Sequence, residues 1–160
     1  VLHRYRDKHE PLREIKLGES ISNEELLQLD CTVLVPAALS EQITHANASK
    51  LRCRILAEGA NGPTTLEADR ILTDKGVFII PDILANSGGV IVSYFEWVQD
   101  VQRFFWKAKD IQDRLQDIIT SAFHRTLQFS VEKRTTMRMA ALMSGIDKVA
   151  QAHLQRGLYP

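Results

Sequence analysis

The stretch "CRILAEGANGPTTLEADRILTDKG", residues 53–76, decides the fold. It opens with a short, largely apolar run, "CRILA", turns through a polar segment rich in small residues, and continues into a helical pattern. In that pattern Leu66, Ala68, Ile71 and Leu72 form an apolar stripe, Thr64 with Glu67 fits a capping box, and Gly76 supplies the stop. Apolar run, corner, helix is the βα half of a βαβ unit. The unit is repeated on either side. "CTVLV" (31–35) stops at Pro36 and "VFII" (77–80) at Pro81 and Asp82. All three runs are short and do not alternate, as expected of strands covered on both faces of a parallel sheet. The segment "SEQITHANASKL" between the first two strands reads as a second helix. Alternating strands and helices predict right-handed crossovers and an α/β layer with helices on both faces.

Upstream, residues 1–10 read as the end of a surface helix and "PLREIKLGES" as a polar connection. Ser22 with Glu25 marks a capping box for one short helix over "SNEELLQL". Beyond residue 83 the pattern is helical only. "GGVIVSYFEWVQDVQRFFW" gives one helix, and Ile111, Leu115, Ile118, Ile119, Ala122, Phe123 and Leu127 share the face of another. A last helix starts near Thr136, with Met139, Leu142, Met143, Ile146 and Val149 expected inward, and stops near Gly157. The expected division is residues 1–108 for the sheet-bearing part and 109–160 for C-terminal helices that pack on it or bridge from it.

At 160 residues the chain is long enough for one core. Its 20 basic and 20 acidic side chains cancel, so no whole-chain field would attract nucleic acid or an anionic membrane. No run approaches the roughly 20 apolar residues of a membrane span, and "VLHRYRDKHE" lacks a signal-peptide core, so a cytoplasmic setting is expected. Cys31 and Cys53 have no metal-site spacing, and neither do the five histidines, His3, His9, His45, His124 and His153. No metal site is expected.

In a parallel sheet the segments after the strands emerge at one edge, where open α/β folds bind ligands. Those segments are "PAAL" (36–39), "EGANGPTT" (58–65) and "PDILANSGGV" (81–90). Small residues let a flat ligand approach the backbone, and amide side chains both donate and accept hydrogen bonds. Asn61 and Asn86 are therefore the expected ligand contacts, and a nicotinamide with its ribose would suit them. Read singly, each corner is more often a turn or a packing site than a binding site: Asn-Gly is a common turn and Gly88-Gly89 would permit close helix packing. Glu58 is read as orienting neighbouring backbone rather than as a base, and Asp82 as a cap.

The motifs "LVPAAL", "AEGANGPTTLEAD", "PDILANSGGV" and "VSYFEWVQD", in this order from about Ser22 to Gln102, resemble the cofactor domain of glutamate dehydrogenases. The resemblance implies a partial Rossmann-like, doubly wound parallel sheet of about three strands followed by C-terminal helices. It also implies NAD or NADP as cofactor, L-glutamate and 2-oxoglutarate as substrates, and a homo-oligomer, hexameric in the family. By the same resemblance Ala38 lines the cofactor near its adenosine and ribose side, Asn61 lies beside the nicotinamide ribose, and Asn86 meets the nicotinamide end. Ser93 would hydrogen-bond the substrate's side-chain carboxylate, with Val90 one turn earlier on its aliphatic part. Without the resemblance, Ser93 reads as a helix serine bonded back to its own backbone.

No GxGxxG occurs here, nor any segment matching the family's activating lysine and proton-shuttling aspartate, so no catalytic residue is assigned. The chain is expected to be the C-terminal portion of an enzyme, with the residue that selects NAD or NADP falling before Val1. Ser87 stands where the family usually has alanine, and Asp100 where asparagine is common. The other reading is a non-catalytic remnant or assembly module of the same fold.

Overall fold

A computed structural model describes residues 18–157. The expected helix end over residues 1–10, most of the connection that follows it, and His3 and His9 lie outside the described residues.

Helix α1 (Asn23–Leu27) begins at the predicted capping box. The Ser22 hydroxyl accepts from the Glu25 N–H, and the Glu25 carboxylate accepts from the Ser22 N–H at 2.7 Å. Strands β1 (Val33–Leu34), β2 (Ile55–Ala57) and β3 (Phe78–Ile80) form an all-parallel sheet in the order β1-β2-β3. Leu34 pairs with Leu56, and Leu56 with Ile79, which sets the register. β1 is not covered on both faces as expected: Val33 is 48 % and Val35 54 % exposed.

The expected helix over residues 40–51 does not form. A single 3-10 turn, Ala48–Lys50, is all that remains of it. The Asn47 side chain accepts from the Thr44 N–H and donates to the Gln42 carbonyl, while the Thr44 hydroxyl accepts from the Ala46 N–H. These bonds offer the backbone an alternative to helical pairing. The segment instead runs strand-like beside the polar corner: Ile43 donates to Pro63 O and accepts from Thr65 N, each at 2.9 Å.

Helix α2 (Leu66–Asp74) is capped by Thr65, not by Thr64 with Glu67. Thr64 is committed to the bridge with Ile43, and its hydroxyl oxygen is buried with no hydrogen-bond partner among the described residues. Ala68 and Leu72 of α2 close the core with Ile43, Ala48, Leu51, Cys53, Leu56 and Ile79. Gly76 ends the helix at φ +78°, a conformation that favours glycine.

Four helices follow: α3 (Asp82–Ala85), α4 (Gly88–Gln102), α5 (Ala108–Lys133) and α6 (Met137–Arg156). The predicted apolar face of α5 is half-buried except at Ile118. Thr136 caps α6 as expected, accepting from the Met139 N–H. The inward stripe expected on α6 is the clearest departure. Met137 and Ala140 are buried, but Met139, Leu142, Met143, Ile146 and Val149 are exposed, the last at 72 %. Periodicity reports that a helix is amphipathic; it does not report how much of its apolar face finds a partner within the same stretch of chain.

Candidate functional site

The segments after β1, β2 and β3 meet at the carboxyl edge of the sheet. The Ala60 N–H donates to Pro36 O at 2.8 Å and the Glu58 N–H to Ile80 O at 3.1 Å, tying the middle segment to both neighbours. Gly59 makes this approach possible, since a Cβ there would lie 3.0 Å from the Ala37 Cβ and 3.3 Å from the Ala37 Cα. Gly62 sits at φ +52°, so the turn after Asn61 also calls for glycine. Pro63 and Pro81 are fully buried and frame the corner.

Two predicted residues are brought together. The Asn86 Nδ2 donates to the Asn61 Oδ1 at 2.6 Å, although the residues lie 25 positions apart. Asn61 is exposed and Asn86 half-buried. Their bond leaves the Asn61 NH2 as donor and the Asn86 carbonyl as acceptor, neither engaged elsewhere among the described residues. That complement suits a carboxamide or a pair of hydroxyls.

Ala38 stands apart from this pair. It lines a groove of about 540 Å³ beside β1, together with Leu26, Leu34, Pro36 and Leu39. Val90 and Ser93 occupy the exposed side of α4, Val90 at 76 %. Ser87, Thr126 and Ser130 bond back to carbonyls of their own chain three or four residues earlier. The Ser93 hydroxyl makes no such bond among the described residues and is left for solvent or a ligand. Gly88 and Gly89 are not required by close packing: a Cβ at Gly88 would make ordinary contact with Ile119 at 3.6 Å, and one at Gly89 would meet open space.

Glu58, read from sequence as an orienting residue, is one. It is fully buried, and its Oε2 accepts from the Asp82 N–H at 2.9 Å. Asp82 is the first helical residue of α3 and not its cap, a position that falls on Pro81: its Oδ1 accepts from the Ile83 N–H, and its Oδ2 reaches across to the Gly62 N–H at 2.8 Å. The sequence reading missed Arg138, whose guanidinium donates to Glu58 at 2.7 Å and to Asp69 at 2.8 Å and lies 3.5 Å from Asp82. Burial pulls the Arg138 pKa down, but hydrogen bonds and charge from Glu58 and Asp69 outweigh it and hold it above the ordinary arginine value. The available signal was Glu58 itself, an acid at a buried strand end that needs a cation.

A groove of about 750 Å³ follows α6 past Leu142, Ile146 and Val149 to Ile83. Apart from His153 its lining is apolar, so it offers little to read a polar ligand.

The sequence profile of the Glutamate/Leucine/Phenylalanine/Valine dehydrogenase family matches residues 1–157. The chain is 47 % identical over 157 residues to a glutamate dehydrogenase of Thermotoga maritima, covering 98 % of this chain and 38 % of that protein. It is 48 % identical over 139 residues to an NAD-specific glutamate dehydrogenase of Staphylococcus aureus, covering 87 % of this chain and 34 % of the relative. It thus spans little more than a third of the curated relatives it matches. Among solved structures, a hetero-hexameric glutamate dehydrogenase from Thermus thermophilus superposes over the whole chain with a TM-score of 0.88 at 28 % identity, and 37 % of that chain is covered.

Proposed function

Because this chain belongs to the Glutamate/Leucine/Phenylalanine/Valine dehydrogenase family, we propose that its protein oxidatively deaminates L-glutamate to 2-oxoglutarate and ammonia with a nicotinamide dinucleotide. The observation that carries the proposal is the Asn61–Asn86 pair at the carboxyl edge of the sheet. Its free donor and acceptor match the carboxamide and ribose hydroxyls of a nicotinamide nucleoside, and the small residues around it leave room for a flat ring. NAD is favoured over NADP because relatives of high identity bear the name NAD-specific.

In this reading Asn61 and Asn86 hold the nicotinamide end, and Ala38 borders the adenosine and ribose side. Val90 packs on the substrate's aliphatic stem. Ser93, with an unengaged hydroxyl on the same exposed side of α4, donates to the side-chain carboxylate. Bound there, the nicotinamide supplies a hydride acceptor for the substrate's α-carbon. The chain's own contribution is to orient both partners and to help exclude water when the cleft closes. Assembly into a hexamer goes with this reading, supported by the hetero-hexameric neighbour. A cytoplasmic setting goes with this reading.

The test is Ser93→Ala in the protein expressed from its gene at natural length. The expected result is a kcat/KM for glutamate lowered roughly ten- to a hundredfold, as for loss of a hydrogen bond to a charged group, with the affinity for reduced cofactor unchanged. Equal kinetics with and without the hydroxyl removes Ser93 from the substrate site. Absence of any glutamate-dependent cofactor reduction by the parent protein removes the activity itself.

A further inference from the structure

Three acidic side chains converge on Arg138, each from a different part of the fold: Glu58 at the end of β2, Asp69 in α2 and Asp82 at the start of α3. Two of these contacts lead onward. The second oxygen of Glu58 accepts from the Asp82 N–H, and Asp82 accepts from the N–H of Gly62, the residue that follows Asn61. The Asp82 carbonyl accepts from the Asn86 N–H at 2.9 Å. The path closes where Asn86 donates to Asn61. A ring of hydrogen bonds therefore runs from the guanidinium to the backbone on which both amides stand. The Asp69 carboxylate leads to neither amide.

We infer that Arg138 is a positioning residue for the amide pair: it holds the Glu58 and Asp82 carboxylates, and these hold Asn61 and Asn86 in register with each other. The inference rests on the cofactor reading above for its functional consequence. A buried ion pair is weak evidence for stability, because desolvation offsets most of its attraction. What a guanidinium adds is direction, since its planar fork fixes several acceptors at once where a lysine ammonium acts as one point charge. Without it, the fully buried Glu58 carboxylate must find another partner, and the Asp82 backbone that it anchors moves with it.

The experiment compares the parent protein, expressed at natural length, with Arg138→Met, Arg138→Lys and Asp69→Asn. The Asn86 Nδ2 to Asn61 Oδ1 separation is measured in crystals, NADH affinity by nicotinamide fluorescence, and stability by urea unfolding. Both Arg138 variants should break the amide contact and weaken NADH binding roughly 10- to 100-fold, the scale of an ångström of misplacement. Asp69→Asn should lose stability yet keep the contact, with NADH affinity within about twofold of the parent, as for an uncoupled site. If Arg138→Met does not fold, Arg138→Lys decides, because it keeps the charge and loses the fork. An intact amide contact in the Arg138 variants overturns the inference. So does an Asp69→Asn protein that loses contact and affinity in proportion to its stability. A parent protein that binds no NADH, with the amide contact still broken in Arg138→Lys, leaves the positioning role standing and sinks the cofactor reading.

Discussion

The sheet-bearing part and the terminal helix use apolar residues in different ways. Around β2, Ile43, Leu51, Leu56 and Leu72 are removed from water almost completely, and the loops they support are pinned by backbone bonds. Along α6, an equally apolar row from Leu142 to Val149 stays exposed past the first turn, where only Met137 and Ala140 are buried. The first region carries its own core. The second takes from that core a single anchored end, where Arg138 enters the acidic cluster. The difference teaches that an apolar stripe and a buried stripe are separate facts: the first is written in local spacing, the second depends on what the stripe meets.

Truncations in the two regions sharpen this contrast most. Leu56→Ala should cost about 2–5 kcal/mol in urea unfolding, because a fully buried side chain leaves a cavity between sheet and α2. Leu142→Ala and Ile146→Ala, on the exposed row of α6, should each change stability by no more than about 0.5 kcal/mol when measured on a chain ending at Pro160 and beginning at Val1. Comparable losses at both places would break the comparison.

Gly59→Ala tests the join between the segments after β1 and β2. Its methyl would press first on the Ala37 Cβ and then on the Ala37 Cα, a side chain fixed to its backbone with little freedom to give, so a destabilisation of about 1–3 kcal/mol is expected. The same change at Gly89, where nothing lies within 4 Å, should be close to neutral.

The smallest expected effect is at α1. Hydrogen bonds from the Ser22 backbone and then its hydroxyl lower the Glu25 pKa below the ordinary 4.5. An acid depressed on folding stabilises above its unfolded value, and that contribution is lost as pH falls through the lower folded value. Amide exchange over residues 22–27 should therefore accelerate, relative to the sheet, on going from about pH 6 to about pH 3. In Glu25→Gln that differential should vanish; its persistence would mean the cap does not govern the fraying.

Much of this was legible because it is local. The strands show as short apolar runs ended by proline or a polar corner, and Ser22 and Thr136 are caps set by the residues within a turn of them. The missing helix over residues 40–51 was not legible, since Thr44 and Asn47 bond to nearby backbone while Ile43 pairs with a segment 21 residues on. Thr65 displaced Thr64 as cap for the same reason: the bridge to Ile43 had already claimed Thr64. At the candidate site, the two asparagines were singled out from the chemistry of amides at strand ends, and the structure brings their side chains into contact. Arg138 was not, because it reaches Glu58 across 80 residues and nothing around "TTMRMAA" marks it as inward-facing.

In the proposed function, the Asn61–Asn86 pair reads the nicotinamide end of the cofactor. The most direct measurement is a crystal structure of the protein, at natural length, with NADH bound. The expected result is the carboxamide or the adjoining ribose hydroxyls within hydrogen-bond reach of the Asn61 NH2 and the Asn86 carbonyl. A cofactor seated with its nicotinamide elsewhere, leaving that donor and acceptor to solvent, would contradict it.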